Sequence, residues 1–236
     1  MIVAGLIGLD LNQSETKPLK SQSDGESKVW AILLAAGKSR RMGEFKPLLP
    51  FGEQTVIESC IDYLQRGGVD KIVVVVGHRA TDVRQQLSGR GVLFGLNTDP
   101  DSEMATSIAR GIECVASGTG AVLIALTDQP AIPAEVVRAL MDQWRKGSRI
   151  IKPEIGGRGG HPVLVDLAYK DELLHLNPDS GLKGFFDRHK DEVCRLPLES
   201  VFIARDMDTW DDYLSLHQEV FGTDPRTERR FDSRTK

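Results

Sequence analysis

Short apolar runs alternate with amphipathic stretches through the middle of the chain. "VWAILLA" (29–35), "KIVVVVG" (71–77), "VLFGLN" (92–97) and "AVLIAL" (121–126) are brief and largely apolar. Runs of this kind are strands buried on both faces, as in a parallel sheet. Helical patterns lie between and after them. Thr55 and Glu58 form a capping-box pair that opens a helix with Ile57, Ile61 and Leu64 on one face, and Gly67-Gly68 ends it. Pro133 suits a first helical turn, and Val136, Leu140 and Trp144 follow at four-residue steps. The alternation predicts right-handed βαβ crossovers and a three-layer α/β/α sandwich around a mostly parallel, Rossmann-like sheet.

After Gly147 the pattern is less regular. "RIIKP", a glycine-rich "IGGRGGHP" and a short strand "VLV" precede helices near 167–175 and 181–189. This part is expected to add mixed or antiparallel strands and to build the second wall of a cleft. Both ends are polar. Residues 10–28 hold too little apolar surface to offset chain entropy, and the stretch from Gly222 is polar and basic. The expected organisation is a flexible leader over 1–28, one domain over 29–221 and a flexible tail over 222–236. The opening "MIVAGLIGLDLNQ" has no basic leading segment and no small-x-small cleavage pattern, so neither a signal peptide nor an anchor is expected.

Composition narrows the function only by exclusion. The formal charge is −4, with no bulk attraction for nucleic acid or anionic lipid, so any anion site must be local. No apolar run is long enough to span a bilayer. Cys60, Cys114 and Cys194 are widely spaced and form no CxxC pair, which fits a reduced, cytoplasmic protein.

The chemistry concentrates at the end of the first strand. In an α/β sandwich, ligands sit beyond the carboxyl ends of the strands. There, "AILLAAGKSRRMGEFKPLLP" (31–50) places the small residues Ala35, Ala36 and Gly37 beside Arg40, Arg41 and Lys46. Small side chains let backbone N–H groups approach anionic oxygens, and the cations complete a polyphosphate cradle. A basic surface turn after a core strand, with Met42 and Leu48-Leu49 simply packing, is the plainer alternative. Neither the GxGxxG fingerprint nor the GxxxxGK[ST] loop is present.

"LAAGKSRRMGEFKPLLP" resembles the signature LAAGxSxRMGxxKxLLP of the nucleotidyltransferases that act in molybdenum-cofactor biosynthesis, with Gly37, Ser39, Arg41, Met42, Gly43 and Lys46 in register. The similarity runs from about residue 29 to 220 and is greatest to the cytidylyltransferases, since "LAAG" rather than "LAGG" favours CTP over GTP. The resemblance implies a pyrophosphate-releasing transfer of CMP from CTP to molybdenum cofactor, with Arg41 and Lys46 on the departing pyrophosphate and Leu34, Ala35, Ala36, Gly37 and Ser39 along the nucleotide. It also implies handover of the product to a molybdenum hydroxylase or its chaperone.

"LTDQP" (126–130) puts Asp128 just past an apolar strand, pointing into the ligand crevice, where a carboxylate and nucleotide phosphate suit Mg²⁺. Asp128 could instead cap the helix near Pro133. "ARDMDTWDDY" (204–213) resembles the family's DxDTPEDY segment, which implies that Asp208 joins Asp128 at the metal. Asp208 or Thr209 could equally cap the following helix, and Trp210 stands where the family usually has Pro. In "LNTDPDSEMATSI" Asn97, Met104 and Ser107 match the family's nucleobase region, while Thr98 and Glu103 replace its Pro and Gly; the alternative is an exposed helix start capped by Ser102. Gly160 and His161 of "GGRGGHP" resemble the family's GHP segment, which implies substrate contact, the plainer alternative being a packed or solvated histidine; Lys183 stands about where relatives carry Arg and could equally be a solvated helix cation. A phosphate monoester nucleophile is largely dianionic near neutral pH, so neither a general base nor a covalent intermediate is expected. The competing readings are transfer to a sugar phosphate or another phosphorylated small molecule, a non-catalytic nucleotide or cofactor binder, and a Rossmann oxidoreductase, which the missing glycine fingerprint disfavours.

Overall fold

The computed structural model describes residues 28–39, 41–99 and 103–225. Nearly all of the expected leader, most of the expected tail, Arg40 and Ser102 lie outside the described residues. The chain runs through β1 (Lys28–Ala35), β2 (Pro50–Phe51), β3 (Gln54–Thr55), α1 (Val56–Gly67), β4 (Lys71–Val76), α2 (Ala80–Gln86), β5 (Leu93–Leu96), α3 (Met104–Glu113), β6 (Thr119–Leu126) and α4 (Ala134–Arg145). It continues through β7 (Ile150–Ile155), β8 (Arg158–Gly159), β9 (Val163–Asp166), α5 (Lys170–Leu174), α6 (Gly181–Arg188), β10 (Val193–Pro197) and α7 (Trp210–Phe221). The four expected strands are β1, β4, β5 and β6, with ends differing by one or two residues. The helix expected over 167–175 is a 3-10 turn at Leu167–Tyr169 followed by α5.

The main sheet has the order β10-β7-β9-β6-β1-β4-β5, with β8 paired to β7. β1 runs parallel to both β4 and β6, and β4 to β5. β9 is antiparallel to both β6 and β7, the reversal that the irregular stretch after Gly147 implied. After β5 the chain returns to the other side of β1 to form β6, so the carboxyl ends of β1 and β6 flank the point where strand order reverses. Ligands bind at such a point in open α/β sheets.

The period-two geometry of β1 divides the core. Val29, Ala31, Leu33 and Ala35 face α1 and α4 in one buried cluster; Trp30 and Ile32 face α3, α5 and α6 in another. This gives the three layers. α1 begins at the Thr55 capping box, where Glu58 accepts from the Thr55 N–H at 2.9 Å, and ends at Gly68 in a left-handed conformation. Gly111 brings α3 close onto β1, since a β-carbon there would stand 2.4 Å from Ile32. A third cluster joins Met42, Leu49, Phe51, Val56, Met207, Tyr213 and Leu216, which docks α7 and the β2–β3 hairpin against the loop that follows β1.

Candidate active site

Beyond β1 and β6 lies a cleft of about 600 Å³, lined by Leu34, Ala36, Gly37, Ser39, Lys46, Asn97, Ser107 and Asp128 among others. Eight of the residues expected at the nucleotide therefore meet in one place. Ala35 does not: strand alternation turns its side chain into the core on the α1–α4 face. Gly37 has nothing within 4 Å of where a β-carbon would stand, so the space over this backbone is open to a ligand. Ser39 adopts a left-handed φ of 51°, and its hydroxyl accepts from the Lys46 N–H at 3.1 Å, which ties the two ends of the signature loop.

Arg41 and Asp208 are not among the residues that line this cleft; they are linked to it through Lys46. Lys46 Nζ lies 2.7 Å from one Asp208 oxygen, and Arg41 donates to the other. Lys46 is buried to 9% exposure, whereas the Arg41 side chain is 74% exposed. The Lys46 hydrogen bond, helped by the Arg41 charge, holds the Asp208 carboxyl below the ordinary range. Thr209, not Asp208, caps α7, with its hydroxyl accepting from the Asp212 N–H. That leaves Asp208 free of the capping role and available to the site.

Asp128 is in a different electrostatic state. Burial, with Asp206 and then Asp208 adding like charge against the opposing Lys46, pushes its carboxyl up to about 6. Its Oδ1 is buried without a hydrogen-bond partner. It caps no helix, because α4 starts after Pro133 with no side-chain cap. An orphaned carboxylate oxygen, with a second carboxylate near enough to raise its pKa, suits a hard divalent cation. Among the described residues no group of three His, Cys, Asp or Glu could hold a metal alone. The donor set thus fits an ion that takes one or two carboxylates and completes its shell with phosphate and water, as Mg²⁺ does.

Asn97 and Ser107 are buried and bonded to each other at 2.9 Å, joining the end of β5 to α3. Part of their role is therefore to hold the cleft wall. Glu103 and Met104 line both this cleft and a second cavity of about 590 Å³ that contains Gly160, His161, Lys183, Lys152, Phe186 and Arg195. Burial pushes the His161 imidazole down to about 4, so it is neutral at neutral pH. Gly160 is explained by the chain itself: a β-carbon there would stand 2.0 Å from the Ile203 carbonyl oxygen. Lys152, whose ammonium lies 5.3 Å from the Phe186 ring centroid, was missed in the sequence, and Glu103 was read only as a departure from the family's Gly. A lysine inside the apolar "RIIKP" was the available signal for the first. Asp206, bonded at 2.7 Å by Gln129, was also missed as the charge beside Asp128. The turn at Gly77-His78-Arg79 leads into α2 and does not line the cleft.

Open space over the Gly37 backbone, two cations and an unsatisfied acid, near the switch point of a mostly parallel sheet, fit a nucleotidyltransferase of the α/β type. Residues 31–193 match the MobA-like NTP transferase domain, and the chain belongs to that family. A nucleotidyl transferase from Methanothermobacter thermautotroptrophicus superimposes with a TM-score of 0.72 at 25% identity, over 81% of this chain and 97% of that one. Rv0371c from Mycobacterium tuberculosis H37Rv gives 0.74 at 26%, over 81% and 98%. Nicotine blue oxidoreductase from Paenarthrobacter nicotinovorans is 27% identical over 190 residues, 77% of this chain and 92% of that protein. Among the described residues, no helix is long and apolar enough to cross a membrane.

Proposed function

We propose that this nucleotidyltransferase moves CMP from CTP to the terminal phosphate of molybdenum cofactor, releasing pyrophosphate. The observation that carries the phosphate part is the orphaned Asp128 beside Lys46 in one strand-end cleft, with Lys46 bridged through Asp208 to Arg41. The acceptor part is supported by the adjoining cavity, where Lys152, Lys183, Lys190 and Arg195 stand among the acids Glu103, Asp179 and Asp187, and by the likeness of the signature to the cytidylyl members.

In this reading the nucleotide lies over Ala36 and Gly37, whose backbone meets its phosphates, and Asn97, Glu103 and Ser107 border its base. Lys46 and Arg41 leave Asp208 for the β and γ phosphates and stabilise the charge that grows there as the leaving group departs. Asp128 and Asp208 would hold Mg²⁺, which when bound neutralises charge on the α-phosphate. An acceptor phosphate oxygen, presented from the second cavity by His161 and Lys183, forms a bond to the α-phosphorus. The bond from that phosphorus to the bridging oxygen of pyrophosphate breaks in the same displacement. Neutral His161 donates one hydrogen bond there without adding charge. The mycobacterial protein has also been solved as a complex with manganese, a statement about that protein with which this donor set is chemically consistent. The product would pass to a molybdenum hydroxylase or its chaperone in the cytoplasm.

The test is pyrophosphate release with Mg²⁺ and molybdenum cofactor across CTP, GTP, ATP and UTP, beside Asp128→Ala. Release with CTP alone, lost in the variant, is expected. Release that requires a sugar phosphate instead would replace the acceptor. One observation favours a second reading: the P. nicotinovorans relative is named an oxidoreductase. A redox role predicts consumption of an added reductant with no pyrophosphate formed.

A further inference from the structure

The segment that leads into α7, residues 207–210, meets the cleft and the loop after β1 at three points. The Met207 N–H donates to the Asp128 carbonyl at 2.9 Å, Asp208 pairs with Lys46 and Arg41, and the Trp210 indole N–H donates to the Met42 carbonyl at 3.0 Å. The third contact touches no reacting group, yet it bears on one. Met42 is the residue after Arg41, and its side chain is buried in the cluster with Met207 and Tyr213. The Met42 N–H also closes a turn on the Ser39 carbonyl at 3.2 Å. The loop is thus pinned near Lys46 by the Ser39 hydroxyl and near Arg41 by Trp210.

We propose that Trp210 is a positioning residue for the pyrophosphate grip, holding the Arg41–Met42 backbone so that the exposed guanidinium is aimed before nucleotide arrives. The inference rests on the phosphate-gripping roles proposed for Arg41 and Lys46. Exposure of the indole sharpens it. Trp210 is 41% exposed and meets Tyr213 edge-on, at 5.5 Å between centroids, so burial gives little reason for a tryptophan. What the indole supplies is an N–H at that distance, which phenylalanine lacks and proline, the usual residue of the resembling segment, lacks as well. Removing it leaves the carbonyl of a 5%-exposed residue without this donor while Arg41 keeps its charge.

The experiment compares the full chain with Trp210→Phe and Trp210→Pro, the latter tolerated at a first helical position. Titration with inorganic pyrophosphate is expected to give a Kd about fivefold to tenfold higher in both variants, the size of one lost hydrogen bond. The nucleotide KM should rise alike, with kcat within about twofold. Tryptophan emission should respond to pyrophosphate in the wild type and not in Trp210→Phe. Unchanged pyrophosphate affinity in Trp210→Phe overturns the inference, as does a loss of kcat that tracks a fall in melting temperature in both variants. A wild-type chain that binds neither pyrophosphate nor nucleotide defeats the transferase reading and this inference together, whereas binding by the wild type that survives in the variants defeats this inference alone.

Discussion

Asp128 and His189 sit in two charged clusters built from similar side chains, and the clusters differ in whether their polar atoms are satisfied. His189 has Glu192 at 2.9 Å from Nδ1 and Glu172 at 2.9 Å from Nε2. Arg188 pairs with Glu172, and the Tyr169 hydroxyl donates to Glu192 at 2.6 Å. The hydrogen bonds to Glu172 and then Glu192 raise the imidazole's pKa, and those carboxyls are lowered in turn. This cluster clasps α5 to the end of α6. Around Asp128 the same chemistry is left open: one oxygen is orphaned, a like charge is adjacent, and the nearby cations are engaged by Asp208. A satisfied cluster stabilises a fold, and an unsatisfied one at a cleft marks where a ligand's charge is expected.

The sharpest way to break this comparison is to remove the cation at the open cluster. Lys46→Met should lower kcat/KM for nucleotide about 10²- to 10³-fold, as loss of a preorganised charge stabiliser does. Pyrophosphate-release kinetics check this, and a change below threefold would take Lys46 out of the mechanism.

Stability should move the other way at Asp128. Its folded pKa of about 6 lies above the ordinary 3.8, so the folded state binds the proton more tightly than the unfolded one. Stability from this group is therefore full at low pH and lost as pH rises through about 6, a penalty on the order of 3 kcal/mol at pH 8. In metal-free protein, Asp128→Asn should be more stable than wild type at pH 8, with the advantage shrinking through pH 6 and gone below pH 4. Parallel pH profiles of the two melting temperatures would contradict the buried, unpaired state of this acid.

A packing control separates site from scaffold. Gly111→Ala places a methyl against Ile32 and should cost about 1–3 kcal/mol by overpacking, read by denaturant unfolding, with no selective effect on the nucleotide KM.

The smallest effect is expected at the satisfied cluster. The raised His189 contributes stability that is complete below 6.5 and lost as pH rises through its folded value. The lowered Glu172 and Glu192 contribute stability that is complete above 4.5 and lost as pH falls through theirs. The deficit of His189→Gln relative to wild type should thus be greatest between about pH 5 and 6 and smallest near pH 9. Melting curves at the two pH values test it, and an equal deficit at both would mean that the ring acts by packing alone.

Much of the fold was legible because it is written locally. The buried strands, the Thr55–Glu58 cap, the Gly67-Gly68 stop and the Pro133 start depend on residues a few positions apart. Elements with little local signal were not: β2 and β3 have two residues each, α2 buries only Val83, and β10 is a half-exposed edge strand. Within the site, the signature loop and the acids after β6 and before α7 could be read as chemistry. Ala35 could not be separated from Ala36, since which small residue faces the cleft depends on strand phase. Gly160 was read as room for a substrate, whereas the Ile203 carbonyl already accounts for it.

By itself the sequence determined the succession of strands and helices, a phosphate-suited loop after the first strand and two acids at element ends, because periodicity, caps and small-residue runs act over a few residues. Only the tertiary structure decided that Asp208 closes on Lys46 from 162 positions away, that Asp206 and burial raise Asp128, and that Trp210 reaches Met42 across 168 positions. Those relations arise from packing α7 against the β1 loop through Met42, Met207 and Tyr213. No local pattern specifies which distant charge will arrive at a site, or how much water will be excluded when it does.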